Sequence, residues 1–389
     1  MALPITYNVR NLYVRWQVTM LAISGIALVV AVFVILLSMV TGFKKVLSGT
    51  GRMDNVVVSQ RGSNSELTSW INNERRNRVI VDERIARAGD GQPLVSSEIV
   101  VVANLLRRED GKPTNVTLRG VSSKAFEVRE GIRVVKGRSF TPGIDEVIVG
   151  VRIADRIAGL QVGETFKAQK RTWTVVGHFE AEGGAFESEI WGDIDVMGPA
   201  FQRTGGANSV VFRLKDVSTL PAFAAEVTAS KELQHELIAE KTYYENQSAP
   251  IATPLLALTG FVALVMGVGA VFGALNTMYA IVASRTREIG TLRALGFPRR
   301  SILITFLVES VLLAVVGGLI GCVLALPVDG LSTGSGNSAG FAEVAWAFRV
   351  TTRDMSIGLA FAAIMGFVGG FLPSVRAARL PITRALRDA

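Results

Sequence analysis

The sequence has one cysteine, Cys322, and two histidines, His178 and His235, among 389 residues. A lone cysteine excludes an intrachain disulfide, so the chain carries no covalent mark of its redox compartment. With no H-E-x-x-H pair and no cysteine beside a histidine, the usual zinc ligand sets are excluded, and no metal site is assigned. No G-x-x-x-x-G-K-[ST] segment occurs, so these residues hold no phosphate loop of the type that cradles ATP. No nucleophile–base arrangement stands out either. That argues against a stand-alone membrane enzyme, and no catalytic residue is assigned. Charged residues are also scarce, at 19%.

Apolar residues are abundant: they make up 49% of the chain, with a mean hydropathy of +0.38. That composition indicates a membrane protein. Four runs carry no charge: 17–43, 246–284, 310–328 and 355–375. Crossing a bilayer core of about 30 Å takes about 20 helical residues, so each run is a candidate span. The third is expected to start earlier, near Ile302, and then contains Glu309. The first is longer than the apolar core of a signal peptide and lacks a clean cleavage site, so it is expected to remain as an anchor. Val9, Leu12, Val14 and Trp16 among Arg10 and Arg15 suggest an interfacial helix leading into it.

The net charge of +8 is unevenly placed. Arg285, Arg287, Arg293, Arg299 and Arg300 crowd the connection between the second and third runs. Arg376, Arg379, Arg384 and Arg387 follow the fourth. This bias fits membrane lipid and topology rather than nucleic acid, and puts both termini and the 285–300 connection in the cytoplasm. Residues 48–245 then form one insertion on the far side. Short β-rich stretches (55–59, 99–103, 114–119, 146–149, 172–177, 209–214) alternate with helix-like ones (79–88, 152–158, 221–229, 232–240). We expect an α-helical membrane protein with four transmembrane helices and a large α+β extracytoplasmic domain between helices 1 and 2, built as two small subdomains.

The expected segments are 1–47 (interfacial helix and first span), 48–245 (extracytoplasmic domain), 246–284 (stalk and second span), 285–300 (cytoplasmic helix), 301–328 (third span), 329–354 (outer loop) and 355–389 (fourth span and basic tail). From Pro254 alone the second span measures about 45 Å, longer than a bilayer core. It starts at Pro254, or begins further upstream and bends at Pro250 and Pro254. Gly269 with Gly273, Gly317 with Gly321, and Gly366 with Gly370 are spaced for close helix packing in lipid. Glu309 is an intramembrane acid. Its nearness to the arginines favours a structural role, pairing with one of them or capping the 285–300 segment, over proton transfer. Glu180, Glu182, Glu187, Glu189, Asp193 and Asp195 surround Trp191 and are expected to be a solvated or adaptor-docking face rather than a cation site. Phe186, Trp191 and Phe201 are expected in a subdomain core.

Arg285-Thr286-Arg287-Glu288-Ile289-Gly290-Thr291-Leu292-Arg293-Ala294-Leu295-Gly296 is short, basic and amphipathic. Ile289, Leu292 and Leu295 recur at helical spacing as one apolar stripe. Gly296 and Pro298 end the helix. Lying between two spans, this helix stays at the membrane surface, and its apolar face needs a partner, lipid headgroups or protein.

The segment resembles the coupling region of the FtsX-like and MacB-like ABC transporter permeases, also called type VII. That family includes macrolide exporters, lipoprotein-releasing permeases and the cell-division permease. The likeness continues through Phe306-Leu307-Val308-Glu309-Ser310 and returns in residues 370–387, Gly370-Phe371-Leu372-Pro373-Ser374-Val375-Arg376 onward. Asn11-Leu12 and Arg15 also fit, as do Asp145-Glu146-Val147-Ile148-Val149-Gly150, Gly163-Glu164 and Val175-Val176-Gly177. The resemblance implies a permease subunit, not itself an enzyme, in a bacterial inner membrane, with ATP and magnesium bound by a separate ABC ATPase. Residues 285–296 would dock there: Ile289, Leu292 and Leu295 would fill a groove, Arg287, Glu288 and Arg293 would set orientation, and Arg285 and Gly296 would complete the coupling set. It implies pairing with a second permease copy, identical or related, a possible periplasmic adaptor, and mechanotransmission that drives export. Lipoprotein release is an alternative, through a cleft such as one lined by Phe33, Ile35, Leu256 and Phe261, as is control of cell-wall hydrolases.

Overall fold

The structure is a computed structural model and describes residues 16–336 and 343–381. The expected interfacial helix over the first residues, and the basic tail after residue 381, lie outside the described residues. The chain divides into two compact units. A helical unit comprises Met1–Gly42, Pro254–Leu331 and Phe348–Ala389, and a sheet unit comprises Phe43–Thr253 and Ser332–Ala347.

The helical unit is built on α1 (Trp16–Ser48), α2 (Glu240–Ser284), α3 (Thr286–Ala294), α4 (Arg299–Ala325) and α5 (Thr352–Arg379). By length and composition, four of these, α1, α2, α4 and α5, are fit to cross a membrane. α5 starts with a capping box, in which Thr351 and Asp354 bond reciprocally to each other's backbone N–H. Thr41 also donates to Asp354 Oδ1 at 3.1 Å. Ile26, Val30, Val34, Ala314, Ala362 and Met365 form the apolar core of this unit.

Two of the three glycine pairs sit where helices nearly touch. A Cβ on Gly317 would come within 3.0 Å of the Ile23 carbonyl oxygen, and one on Gly321 within 2.5 Å of Ala27 O. One on Gly366 would meet the Ala314 Cβ at 2.5 Å, and one on Gly370 the Ser310 Cβ at 2.4 Å. The third pair differs from expectation. Gly269 and Gly273 face open space in the single chain, and the close approach on α2 is made at Gly267, against the Phe361 ring at 2.9 Å. Packing within the chain therefore selects a different face of α2 from the one that the spacing suggested.

α2 is 45 residues long and runs without interruption through Pro250 and Pro254. At 1.5 Å per residue it extends about 67 Å, more than twice a bilayer core of ~30 Å. It begins at Glu240, six residues upstream of the expected stalk.

The sheet unit contains twelve strands before α2: β1 (Asn55–Gln60), β2 (Ile71–Asn72), β3 (Val95–Leu106), β4 (Pro113–Val121), β5 (Ile132–Gly137), β6 (Glu146–Gly150), β7 (Thr165–Ala168), β8 (Arg171–Ala181), β9 (Glu189–Asp193), β10 (Gly206–Ala207), β11 (Ser209–Arg213) and β12 (His235–Ala239). Ten of them make one mixed sheet in the order β12-β1-β11-β3-β4-β9-β6-β8-β5, with β7 added on β8. β4 and β9 run parallel, with Arg119 opposite Trp191. A further hairpin, β13 (Ser332–Gly336) and β14 (Glu343–Ala347), comes from the loop between α4 and α5. Its Ala345 N–H donates to Ser188 Oγ at 3.0 Å.

Instead of two subdomains there is one sheet with two apolar clusters. Leu118, Val147, Trp173 and Ile190 belong to one, and Val56, Phe212, Phe223 and Leu237 to the other. The pairing of β11 with β3 keeps the sheet continuous between them. The expected helix over 232–240 is strand β12, because His235, Leu237 and Ala239 are buried alternately, at period two. The expected helix over 79–88 lies earlier, at Asn73–Ile80, where the Asn72 side chain caps it by accepting from Arg75 N. Ile85 instead bridges to Leu214.

Candidate functional site

α3 is held between α2 and α4 by a tight turn at each end. Arg285 separates α2 from α3, and its N–H donates to Val282 O at 3.2 Å. At the other end Gly296 has φ +92°. Gly296 N donates to Arg293 O and Phe297 N to Leu292 O, each at 3.2 Å. These two bonds make a Schellman stop. A side chain at Gly296 would strain that φ.

The apolar stripe faces two ways. Ile289 is 1% exposed and packs into a cluster with Met278, Ile281, Ile302, Phe306 and Ala377, while Leu292 is half-buried beside it. Leu295 is 72% exposed. The expectation that all three fill a partner's groove is therefore corrected: Ile289 seats α3 on its own bundle, and Leu295 is left facing outward. Arg287, Glu288 and Thr291 are exposed beside it.

Arg285 and Arg293 also turn inward. Arg285 Nη1 donates to Glu309 Oε2 at 2.7 Å, with the side chains 4% and 1% exposed. The guanidinium also lies 5.8 Å from the Phe306 ring centroid. Arg293 Nη1 donates to the Ala378 carbonyl at 2.8 Å. Arg285 is thus a buried partner of Glu309 and offers no surface for docking. Of the candidate cleft residues, Phe33 lies 4.8 Å from the Phe361 ring, whereas Leu256 and Phe261 are exposed.

Sequence reasoning missed a second polar centre, inside the sheet unit. Arg119, on β4, uses all five of its N–H groups on three buried carboxylates. Nε and Nη2 donate to Glu189 at 2.7 and 2.8 Å. Nη1 and Nη2 donate to Glu66 at 2.9 and 3.0 Å, and Nη1 also donates to Glu98 at 2.7 Å. Arg129 shares Glu98 with Arg119, and its Nε donates to Glu240 Oε1 at 2.6 Å. Four carboxylates thus meet two guanidiniums, and neutral donors offset the excess. Ser209 donates to Glu66, Trp191 to Glu189 and Asn55 to Glu240. Burial alone would drive the Arg119 guanidinium toward neutrality, but the charges of Glu189 and Glu66 win and hold its pKa well above the ordinary value. Burial likewise pushes the Glu66 carboxyl up, yet the facing Arg119 brings it below its usual range.

The expected solvated acidic face is corrected in part. Glu187, Glu189 and Asp193 are buried, while Glu180, Glu182 and Asp195 are exposed. Glu187 accepts from Arg152 Nε at 2.8 Å, and Asp193 accepts from the backbone of Gly143. Trp191 and Phe186 are core residues. His178 is buried against the Leu160 carbonyl at 2.8 Å. A signal was present in the sequence: Glu98 and Arg119 are each the single charge in an otherwise uncharged strand, and such a charge, where buried, requires a partner.

Residues 19–230 match the family model described as "MacB-like periplasmic core domain". Residues 260–382 match "FtsX-like permease C-terminal". The chain belongs to the FtsX-like, MacB-like ABC transporter permease family. It is a multi-pass membrane protein with an α+β extracytoplasmic domain.

Among curated relatives, it is 27% identical over 303 residues to the macrolide export ATP-binding/permease protein MacB of Bdellovibrio bacteriovorus, covering 71% of this chain and 44% of that protein. It thus spans less than half the length of that relative. It is 25% identical over 295 residues to the uncharacterized ABC transporter permease YknZ of Bacillus subtilis, covering 70% of each. Among solved structures, the periplasmic region of MacB from Actinobacillus actinomycetemcomitans matches at 13% identity and a TM-score of 0.37, over 50% of this chain and 92% of that one. The extracellular domain of YknZ matches at 17% identity and a TM-score of 0.36, over 47% and 99%.

Proposed function

We propose that this permease couples ATP hydrolysis on a separate ABC ATPase subunit to movements of its extracytoplasmic domain, and that these movements drive export. The observation that carries the proposal is the division of labour on α3. Ile289, Arg285 and Arg293 tie it to the bundle, while Arg287, Glu288, Thr291 and Leu295 are left on its outer side. A helix so seated receives a push on one face and delivers it to α2, α4 and α5 through the other.

Three further observations support the reading. The 389 residues contain no phosphate loop, whereas the MacB relatives are named as ATP-binding/permease proteins. On this reading ATP and magnesium are bound by the partner subunit. α2 runs unbroken for 45 residues, which suits a lever that conveys motion without passing cargo through the bundle. Gly269 and Gly273, with exposed Val265 and Phe272 nearby, give α2 a face on which a second permease copy can pack closely. The arginines at 285–300 and 376–379 support a cytoplasmic setting for that side, in the inner membrane of a bacterium. The export direction is the one that the name of the MacB relatives states, and a periplasmic adaptor would complete the route.

Purification from membranes in mild detergent tests this. An ABC ATPase must co-purify, and a cysteine at Leu295 must cross-link to it. Purification free of any ATPase overturns the proposal.

A further inference from the structure

The buried charge network of the sheet unit ends on Glu240, the first residue of α2. Glu240 is fully buried, and its carboxylate accepts from Arg129 Nε, Asn55 Nδ2 and the Arg52 backbone N–H. One turn later Tyr244, 4% exposed, lies edge-on to the Phe186 ring at 5.3 Å. Arg129 in turn lies 4.6 Å from the Phe186 centroid and shares Glu98 with Arg119. Two links therefore carry from the start of α2 to β3, and a third to β4 at the centre of the ten-stranded sheet.

A network of this kind is a poor way to gain stability. Taking charges out of water costs several kcal/mol per ion in general, and well-packed apolar replacements are often as stable or more so. What it supplies is direction. A fork of five N–H groups fixes the angles of three carboxylates, which apolar packing does not. The first turn of α2 also favours an anion at its N-terminus.

We infer that the Arg129–Glu240 pair, locked by Arg119, is the positioning joint that makes the first turns of α2 and the sheet one rigid body. Motion of the helix then moves the whole domain instead of bending its connection. The inference rests on the lever role proposed above for α2, but its first test does not.

The full chain, with Cys322 replaced by Ser, is labelled with spin labels at Glu245→Cys and Val135→Cys in lipid nanodiscs, and the distance between the labels is measured without nucleotide. The parent gives one narrow distance. The variant R129M/E240L, with apolar side chains in place of the pair, keeps its thermal midpoint but loses that single narrow distance. A folded variant as narrow as the parent overturns the joint. So does a lowered midpoint with unchanged width, because that is the behaviour of a network that only stabilises. Should the double variant fail to fold, E240Q, which keeps the shape and removes the charge, gives the same two outcomes. With the co-purified ATPase added, the parental distance stays fixed on ATP binding. In R129M/E240L hydrolysis persists while nucleotide no longer moves the Val135 labels of the two permease copies relative to one another. If the parent shows no such nucleotide-driven movement, the lever reading falls, while the result without nucleotide still decides the joint.

Discussion

The Arg285 guanidinium and the Glu309 carboxylate meet at 2.7 Å, both sealed from solvent. The pair joins the turn between α2 and α3 to the body of α4, so the start of α3 is set by a charge in the third span. A buried ion pair tolerates the loss of neither partner. Arg285→Met or Glu309→Leu alone is expected to cost about 3–5 kcal/mol, while the double variant R285M/E309L regains most of it. Thermal unfolding of the purified protein in detergent, followed by tryptophan fluorescence, measures this. Equal losses in the singles and the double would remove the pair as the cause.

The two faces of α3 give opposite expectations. Ile289→Asp places a carboxylate in the cluster around Phe306 and lowers stability and expression. Leu295→Asp alters an exposed side chain and leaves the thermal midpoint within a degree or two of the parent, while association with the ATPase weakens severalfold. Glu288→Ala, also on the exposed face, weakens it less. Midpoints and co-purification yields measured side by side distinguish the two faces.

Glycine substitution separates packing inside the chain from packing outside it. Gly321→Val drives a side chain into the backbone of Ala27, where even a Cβ would lie at 2.5 Å. That overpacking costs about 1–3 kcal/mol or prevents insertion. Gly273→Val meets open space in the single chain and leaves the monomer's midpoint unchanged. If the proposed pairing holds, the defect it causes comes through a second copy, which cross-linking yield in membranes reads out.

Acid acts on the extracytoplasmic domain in two windows. His235 is fully buried and neither ring nitrogen has a hydrogen-bond partner. Burial, helped by Arg75, pushes its pKa below the ordinary 6.5. The unfolded chain takes up this proton first, so stability is full above pH 6.5 and falls as the pH drops below it. Glu146 bonds to Arg138, which holds its carboxyl at about 2 against an ordinary 4.5. Its contribution is present above pH 4.5 and is lost as the pH falls toward 2. Glu66, held low by Arg119, adds to this lower window. His235→Phe should flatten the melting midpoint between pH 7 and 5 and leave the fall below 4.5 in place. An unchanged slope in the upper window would show that another group titrates there.

Long-range periodicity was legible in the sequence; long-range pairing was not. The apolar runs are uniform enough that α1, α4 and α5 lie where hydropathy puts them, and Gly296 ends α3 because only a residue tolerant of positive φ fits that stop. The amphipathic stripe of α3 told that one side is apolar, but not that Ile289 and Leu295 point to different surroundings, since the neighbours of Ile289 come from α2, α4 and α5. β12 was misread because a Glu-rich stretch with Leu at intervals satisfies a helical template as well as an alternating one. Glu189 looked solvated among its acidic neighbours. Its partner Arg119 lies 70 residues away in sequence, and no local pattern reveals such a pairing.

The central claim is that α3 receives the push of a separate ATPase. The most direct measurement is ATP hydrolysis by the purified complex in lipid nanodiscs, parent against Leu295→Asp, with equal amounts of folded permease confirmed by thermal midpoint. The account requires that the parent retain an ABC ATPase and stimulate its hydrolysis, and that Leu295→Asp lose both stimulation and association at an unchanged midpoint. Undiminished stimulation by Leu295→Asp, or a parent that neither binds nor stimulates an ATPase, would contradict it.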